Sequence, residues 1–136
     1  MKQLENSISL IARIEDCDAY EHVNNTRYPM FAEEARDQLQ ITYGLSDDDL
    51  VEKDLRFAIS DMSVAFRREI LPYQRIYINS SLIYKGGVRF EMTHQLAVDD
   101  QLCAIVRTDH FFAKLGGDGR LKPIKPPKEY LNLFKE

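Results

Sequence analysis

Four stretches in the second half of the chain alternate apolar and polar residues, with no helical pattern between them. They cover residues 57–66, 75–84, 88–98 and 102–112. A period of two is typical of strands with one buried face. The third stretch is the clearest, and its apolar face comprises Val88, Phe90, Met92, Leu96 and Val98. Because Gly86-Gly87 and Asp99-Asp100 supply tight turns around it, the sequence predicts consecutive antiparallel strands.

The first half of the chain contributes one more strand and one long helix. Residues 8–14 also alternate with a period of two. From Tyr28 onward the apolar positions recur at three- and four-residue steps, as on a helix with one buried stripe. Gly44 ends this helix, and Ser46 can cap a short second helix that reaches about Lys53. The whole pattern predicts a single α+β domain over residues 1–136, in which an antiparallel sheet covers one long helix.

Composition narrows the classes of function. A formal net charge of -4 leaves no broad basic surface for nucleic acid. Cys17 and Cys103 form no CxxC pair and have no nearby histidine cluster, so we expect neither a disulfide framework nor a metal site. Free cysteines suit the reducing cytosol. No segment approaches the roughly 20 apolar residues that span a bilayer, so we expect a soluble, cytoplasmic protein.

A polar loop, residues 16–25, separates the first strand from the long helix. It carries Asp16, Asp18 and His22, and ends at Asn24-Asn25. A carboxylate on such a loop lies next to the electropositive start of a helix, where it can act as a general base or as a nucleophile. Aspartate also caps turns, so Asp18 has a purely structural alternative.

The loop and the start of the helix resemble the 4-hydroxybenzoyl-CoA thioesterase-like family of hotdog-fold thioesterases. That family's signature runs Asp-x-Asp-x-x-Gly-His-Val-Asn-Asn, then two residues, Tyr, and soon afterwards Glu-Glu-Ala-Arg. The residues that match at the same spacing are Asp16, Asp18, His22, Val23, Asn24, Asn25, Tyr28, Glu33, Glu34, Ala35 and Arg36. The resemblance implies a hotdog domain that hydrolyses acyl-CoA thioesters without a cofactor. It also implies a homodimer or homotetramer, with the acyl groove where two sheets join edge to edge.

The resemblance assigns roles to the loop residues. By this resemblance, Asp18 is the catalytic carboxylate and acts as general base or nucleophile. The backbone N–H of Asn25 is the group that polarises the thioester carbonyl. His22 assists the chemistry or holds the loop, and Asn24 caps the helix and shapes the site. Tyr28 lines the acyl groove or belongs to the core, and the same two alternatives apply to Phe31, Phe57 and Met62.

The phosphates of coenzyme A need basic partners, which hotdog enzymes often take from a neighbouring subunit. The candidates are Arg67, Arg68, Lys85, Arg89, Lys122 and Lys125. Two other functions stay open: hydrolysis of an acyl group held on acyl carrier protein, and a non-catalytic module that binds acyl chains.

Two residues depart from the family pattern. Glu21 stands where the family has Gly, so the loop either admits a Cβ or is strained, and a negative charge is added near the acyl site. Pro29 lacks the N–H that would bond the carbonyl of Asn25. If Pro29 opens the helix, the N–H of Asn25 no longer lies at the helix end.

Two histidines lie outside the loop. His94 falls on an apolar strand face, which predicts a buried imidazole with a hydrogen-bond partner or a subunit contact, while the role of His110 is ambiguous.

Overall fold

The computed structural model describes all 136 residues, which form one antiparallel sheet with a long helix packed on one face. The strands are β1 (Leu4–Ile11), β2 (Arg56–Phe66), β3 (Arg75–Gly86), β4 (Arg89–Val98), β5 (Gln101–Leu115) and β6 (Leu121–Pro123). The helices are α1 (Tyr28–Thr42), α2 (Asp47–Glu52) and α3 (Lys128–Leu131). The strand order is β1-β3-β4-β5-β2, and β6 pairs with the end of β5. The predicted α+β class is confirmed.

Helix α1 lies on the sheet through the apolar stripe predicted from its sequence. Phe31, Ala32, Ala35 and Leu39 are all buried. Pro29 lies in the first turn of α1, where a missing N–H costs no intrahelical hydrogen bond. Gly44 follows the helix at φ +74°, a conformation that favours glycine.

The core consists of two apolar clusters at opposite ends of α1. The cluster near the polar loop contains Tyr28, Phe31, Ala35, Ile70, Ile76, Ile78, Leu96 and Val106. The distal cluster contains Leu39, Leu50, Phe57, Leu82, Phe90, Phe112, Tyr130 and Phe134. Phe57, one of the candidates for the acyl groove, packs in the distal cluster, 5.6 Å from Phe90 and 4.8 Å from Phe112 between ring centroids.

A row of polar side chains separates these clusters on the three central strands. Ser80 Oγ and His94 Nδ1 are 2.6 Å apart, and Thr108 Oγ1 and His110 Nε2 are 2.7 Å apart. Both imidazoles are 1% exposed. Burial, reinforced by the positive charge of Arg36, lowers the pKa of His94 to about 4 and that of His110 to about 3. His94 is thus a buried imidazole with a hydrogen-bond partner, one of the two predicted alternatives, and His110 is buried as well.

The first strand differs most from its predicted bounds. It begins at Leu4 and ends at Ile11, whereas the alternating pattern continues to Ile14. The chain leaves the sheet because the Asp16 carboxylate accepts the N–H of Arg13 at 2.9 Å and closes a 3-10 turn over Ile14–Asp16. Two smaller corrections concern Val88, which lies in the β3–β4 turn and not on a buried face, and β6, which the sequence did not predict.

Candidate active site

The polar loop folds back on itself as a small hairpin. Asp18 N–H donates to the carbonyl of His22 at 3.1 Å, and Glu21 N–H donates to the carbonyl of Asp18 at 3.0 Å. Cys17 and Val23 form an antiparallel bridge below this turn. Val23 N–H also donates to the carbonyl of Ile70 at 2.7 Å. The hairpin is therefore attached to the connection between β2 and β3, and Asp18 is the first residue of the turn at its end.

Glu21 occupies the left-handed region, at φ +66°. This conformation suits glycine and disfavours residues with a Cβ, so the loop keeps the shape that glycine would allow and is strained at Glu21. The side chain is exposed and is not among the residues that line the pocket around Asp18. Its negative charge therefore lies outside the pocket lining but between two lining residues, Tyr20 and His22.

We expect Glu21→Gly to raise the free energy of unfolding by ~1 kcal/mol, because glycine adopts the left-handed conformation without a steric cost. Urea denaturation of the two proteins measures the difference. Glu21→Ala is the matched control, since it removes the charge but keeps the Cβ. An equal gain in both variants would attribute the effect to charge and would contradict the assignment of strain.

The carboxylate of Asp18 is held by one oxygen and free at the other. Its Oδ1 accepts the N–H of Tyr20 at 2.9 Å, and Oδ2 has no hydrogen-bond partner in the chain. The side chain is half-buried. Asp18 therefore stabilises the turn through Oδ1, as aspartate commonly does, while its Oδ2 remains available for chemistry.

The start of the helix presents an unpaired donor near this carboxylate. Asn24 Oδ1 accepts the N–H of Thr26 at 2.9 Å and its hydroxyl at 2.8 Å, so Asn24 is an N-cap. Asn25 then begins a 3-10 turn, Asn25–Arg27, which runs directly into α1. The N–H of Asn25 donates no hydrogen bond within the chain. Pro29 lies in the first turn of α1, so the N–H of Asn25 is not at the start of α1 itself. It lies at the start of the 3-10 turn that precedes α1 and continues into it.

Asp18 and Asn25 line the same surface pocket, which has a volume of about 550 Å³. The other lining residues are Tyr20, His22, Val23, Tyr28, Phe66, Arg67, Arg68 and Glu69. Tyr28 is buried and packs edge-to-face against Phe66, with ring centroids 5.0 Å apart. The pocket therefore combines an aromatic wall, two carboxylates (Asp18 and Glu69), an unpaired N–H and two guanidinium groups.

Other candidate residues lie elsewhere in the chain. Asn24 caps the 3-10 turn and does not line the pocket. Lys85 and Arg89 flank the β3–β4 turn, at the end of the sheet opposite the loop, where Lys85 Nζ lies 4.0 Å from Glu91. Within one chain they do not meet Asp18, and their assignment to coenzyme binding stays a prediction.

Two further groups in and near the site have limited chemical roles. Burial first, and then the charges of Asp16 and Asp18, raise the pKa of the Cys17 thiol, which disfavours the thiolate needed for a nucleophile. Burial also raises the pKa of Tyr28.

No group of three or more His, Cys, Asp or Glu side chains is placed to hold a metal ion. None of the helices has the length and apolar composition to cross a membrane.

Comparison with solved structures identifies the fold as the hotdog fold. A 4-hydroxybenzoyl-CoA thioesterase from Pseudomonas sp. strain CBS-3 superposes with a TM-score of 0.85 at 19% identity, over 95% of this chain and 98% of that one. A 1,4-dihydroxy-2-naphthoyl-CoA thioesterase from Synechocystis gives 0.82 at 16% identity, over 96% and 95%. A gentisyl-coenzyme A thioesterase gives 0.79 at 19% identity, over 95% and 98%.

Sequence comparison gives the family. The family model described as the thioesterase-like superfamily matches residues 12–132. The chain therefore belongs to the thioesterase-like superfamily. A search of curated proteins finds no match. The identities to the solved structures are low, so those structures bear on the fold and not on the substrate.

Proposed function

We propose that this protein hydrolyses acyl-CoA thioesters to the free acid and CoA in the pocket around Asp18. One observation carries the proposal: a carboxylate with a free oxygen and a backbone N–H without a partner line the same pocket. Membership of the thioesterase-like superfamily supports the reaction class. The aromatic wall and the two arginines match a substrate with an apolar acyl group and an anionic carrier.

Asp18 has two routes to the products. As a general base it takes a proton from water, and the oxygen of that water attacks the carbonyl carbon. As a nucleophile it attacks the carbonyl carbon itself, and water then hydrolyses the mixed anhydride. In both routes the C–S bond breaks, the CoA thiolate leaves and takes up a proton, and the acid is released. The N–H of Asn25 stabilises the negative charge that develops on the carbonyl oxygen.

In this proposal, Arg67 and Arg68 of the same chain bind the phosphates of coenzyme A. Both are exposed, both line the pocket, and both backbone N–H groups donate to the carbonyl of Cys103, at 2.8 and 3.1 Å. Their backbone is therefore fixed. The guanidinium of Arg67 makes one long hydrogen bond, from Nη1 to the carbonyl of Phe66 at 3.5 Å, so both arginines keep N–H donors for phosphate oxygens. His22, whose Nδ1 lies 3.3 Å from the carbonyl of Val23, serves the shape of the loop in this proposal.

A homodimer that joins two sheets through β2 is part of the proposal. β2 pairs only with β5, so its other edge presents unpaired backbone groups. Ile59, Met62 and Phe66 along this strand are 38%, 44% and 49% exposed. Pairing of β2 with its copy would cover these side chains and complete the wall of the pocket near Phe66. A molar mass of 15.8 kDa in light scattering, that of a single chain, would contradict it.

The reaction is tested by thiol release from a panel of acyl-CoA esters that covers short, long and aromatic acyl groups. We expect turnover of at least one class, abolished by heating the protein. Parallel assays with the same acyl groups on acyl carrier protein distinguish the two carriers. Turnover of the acyl carrier protein substrate alone would change the proposed substrate from acyl-CoA to acyl-acyl carrier protein. Saturable binding of every ester without thiol release would contradict hydrolysis and favour a binding module.

A further inference from the structure

Arg27 connects the helix start to the base of the loop that carries Asp18. It is the last residue of the 3-10 turn that Asn25 begins. Its Nη2 donates to the carbonyl of Glu15 at 3.4 Å, and its Nε lies 3.8 Å from Asp16 Oδ1. One side chain therefore joins the element that presents the Asn25 N–H to the residues just before Asp18.

The other end of this connection is itself fixed. The Asp16 carboxylate accepts the N–H of Arg13 at 2.9 Å, and the Asp16 carbonyl accepts the N–H of Asn24 at 2.8 Å. The Asp16 side chain is only 15% exposed. Asp16 therefore forms the base of the hairpin, and a displacement of Arg27 would be transmitted to the hairpin through it.

We propose that Arg27 is a positioning residue, which sets the separation between the Asp18 carboxylate and the Asn25 N–H. This inference rests on the proposed thioesterase function. Arg27 does not line the pocket, in contrast to Arg67 and Arg68, so it is not placed to bind substrate. Because the ion pair is partly exposed, it contributes little to global stability. Its effect is on the geometry of the two reacting groups.

The expected kinetic signature is a loss in kcat without a change in KM. A displacement of about 1 Å in a reacting group can lower the rate by about 10²-fold. We expect Arg27→Met to lower kcat by about 10- to 100-fold and to leave KM within about twofold. Arg27→Lys keeps the charge opposite Asp16 but loses the second donor, so its kcat should fall between those of Arg27→Met and the wild type.

The test measures kcat, KM and the urea midpoint of these variants, with Arg107→Met as the matched control. Arg107 is exposed on β5 and forms no ion pair. Asp16→Asn should also lower kcat, and the loss in the double variant should be smaller than the two single losses combined, since the ion pair between the two side chains is common to both. An unchanged kcat, additive losses, or a raised KM with an unchanged kcat would each overturn the positioning role.

A second measurement separates failure of this inference from failure of the proposed function. The backbone amide resonance of Asp18, which is distant from Arg27 in the sequence, should shift in Arg27→Met and stay in place in Arg107→Met. If the wild type cleaves no thioester, the proposed function fails, and this shift alone still decides whether Arg27 positions the loop that carries Asp18. An unshifted resonance in Arg27→Met overturns the inference in either case.

Discussion

Asp18→Asn is expected to lower kcat for acyl-CoA hydrolysis by about 10²- to 10⁴-fold, the range that a general acid or base contributes. An amide neither accepts a proton from water nor attacks a thioester. It is nearly the same size as the carboxylate, and its carbonyl oxygen can still accept the N–H of Tyr20, which Asp18 Oδ1 bonds at 2.9 Å. The loop should therefore persist, and the Kd for acyl-CoA, measured by calorimetry, should change little.

Glu21→Gln is the matched control for Asp18→Asn. It makes the same change of charge three residues further along the same hairpin, but Glu21 does not line the pocket. Its kcat should stay within about threefold of the wild type, since an exposed charge acts weakly at a distance. Equal losses in the two variants would show a general effect of charge. A wild-type rate in Asp18→Asn would remove Asp18 from the chemistry.

The stability of the fold is expected to fall steeply in acid because of His94 and His110. Burial, with the charge of Arg36, lowers their folded pKa values from 6.5 to about 4 and about 3, and His94 further lowers the pKa of His110. Between these values and 6.5 the unfolded chain binds more protons than the folded one, so the free energy of unfolding rises with pH. The contribution is fully present above pH 6.5 and is lost as the pH falls from 6.5 towards the folded values. At about 1.4 kcal/mol per pKa unit, it amounts to several kcal/mol at pH 3.

Urea denaturation between pH 7 and pH 4 measures this loss. Carboxylates titrate in the same range, so the informative quantity is the difference between the wild type and His94→Gln. Glutamine can still hydrogen-bond Ser80 and carries no titrating group, so the variant should lose less stability on acidification. An identical pH dependence in the two proteins would exclude His94 as a source of the acid sensitivity.

The sheet and the helix were predictable because their patterns are local. Each central strand keeps a period of two, and the Gly86-Gly87 and Asp99-Asp100 turns adopt the positive φ angles that tight hairpins require. The end of β1 was not predictable in the same way. Alternation continues past Ile11 to Ile14, but the chain turns away where the Asp16 carboxylate accepts the N–H of Arg13 and a 3-10 turn forms.

The candidate site was predictable only in part. Asp18, His22 and Asn25 follow from their spacing within one loop, and the structure places them around one pocket. Phe66, the last residue of β2, and Glu69, which follows the strand, line the same pocket. No pattern in the sequence predicts that these two residues lie beside the loop. Their position there depends on the attachment of the loop to the β2–β3 connection, a tertiary contact formed by Val23 N–H and the carbonyl of Ile70.

In the proposed mechanism, Asp18 and the N–H of Asn25 act on one thioester group. A crystal structure of the Asp18→Asn protein with a bound acyl-CoA tests this arrangement, because the substrate should survive in that variant. We predict the thioester oxygen at about 2.7–3.1 Å from the backbone nitrogen of Asn25, with the carbonyl carbon facing the side chain at position 18. A thioester bound outside the pocket, or one whose oxygen points away from Asn25, would exclude this mechanism.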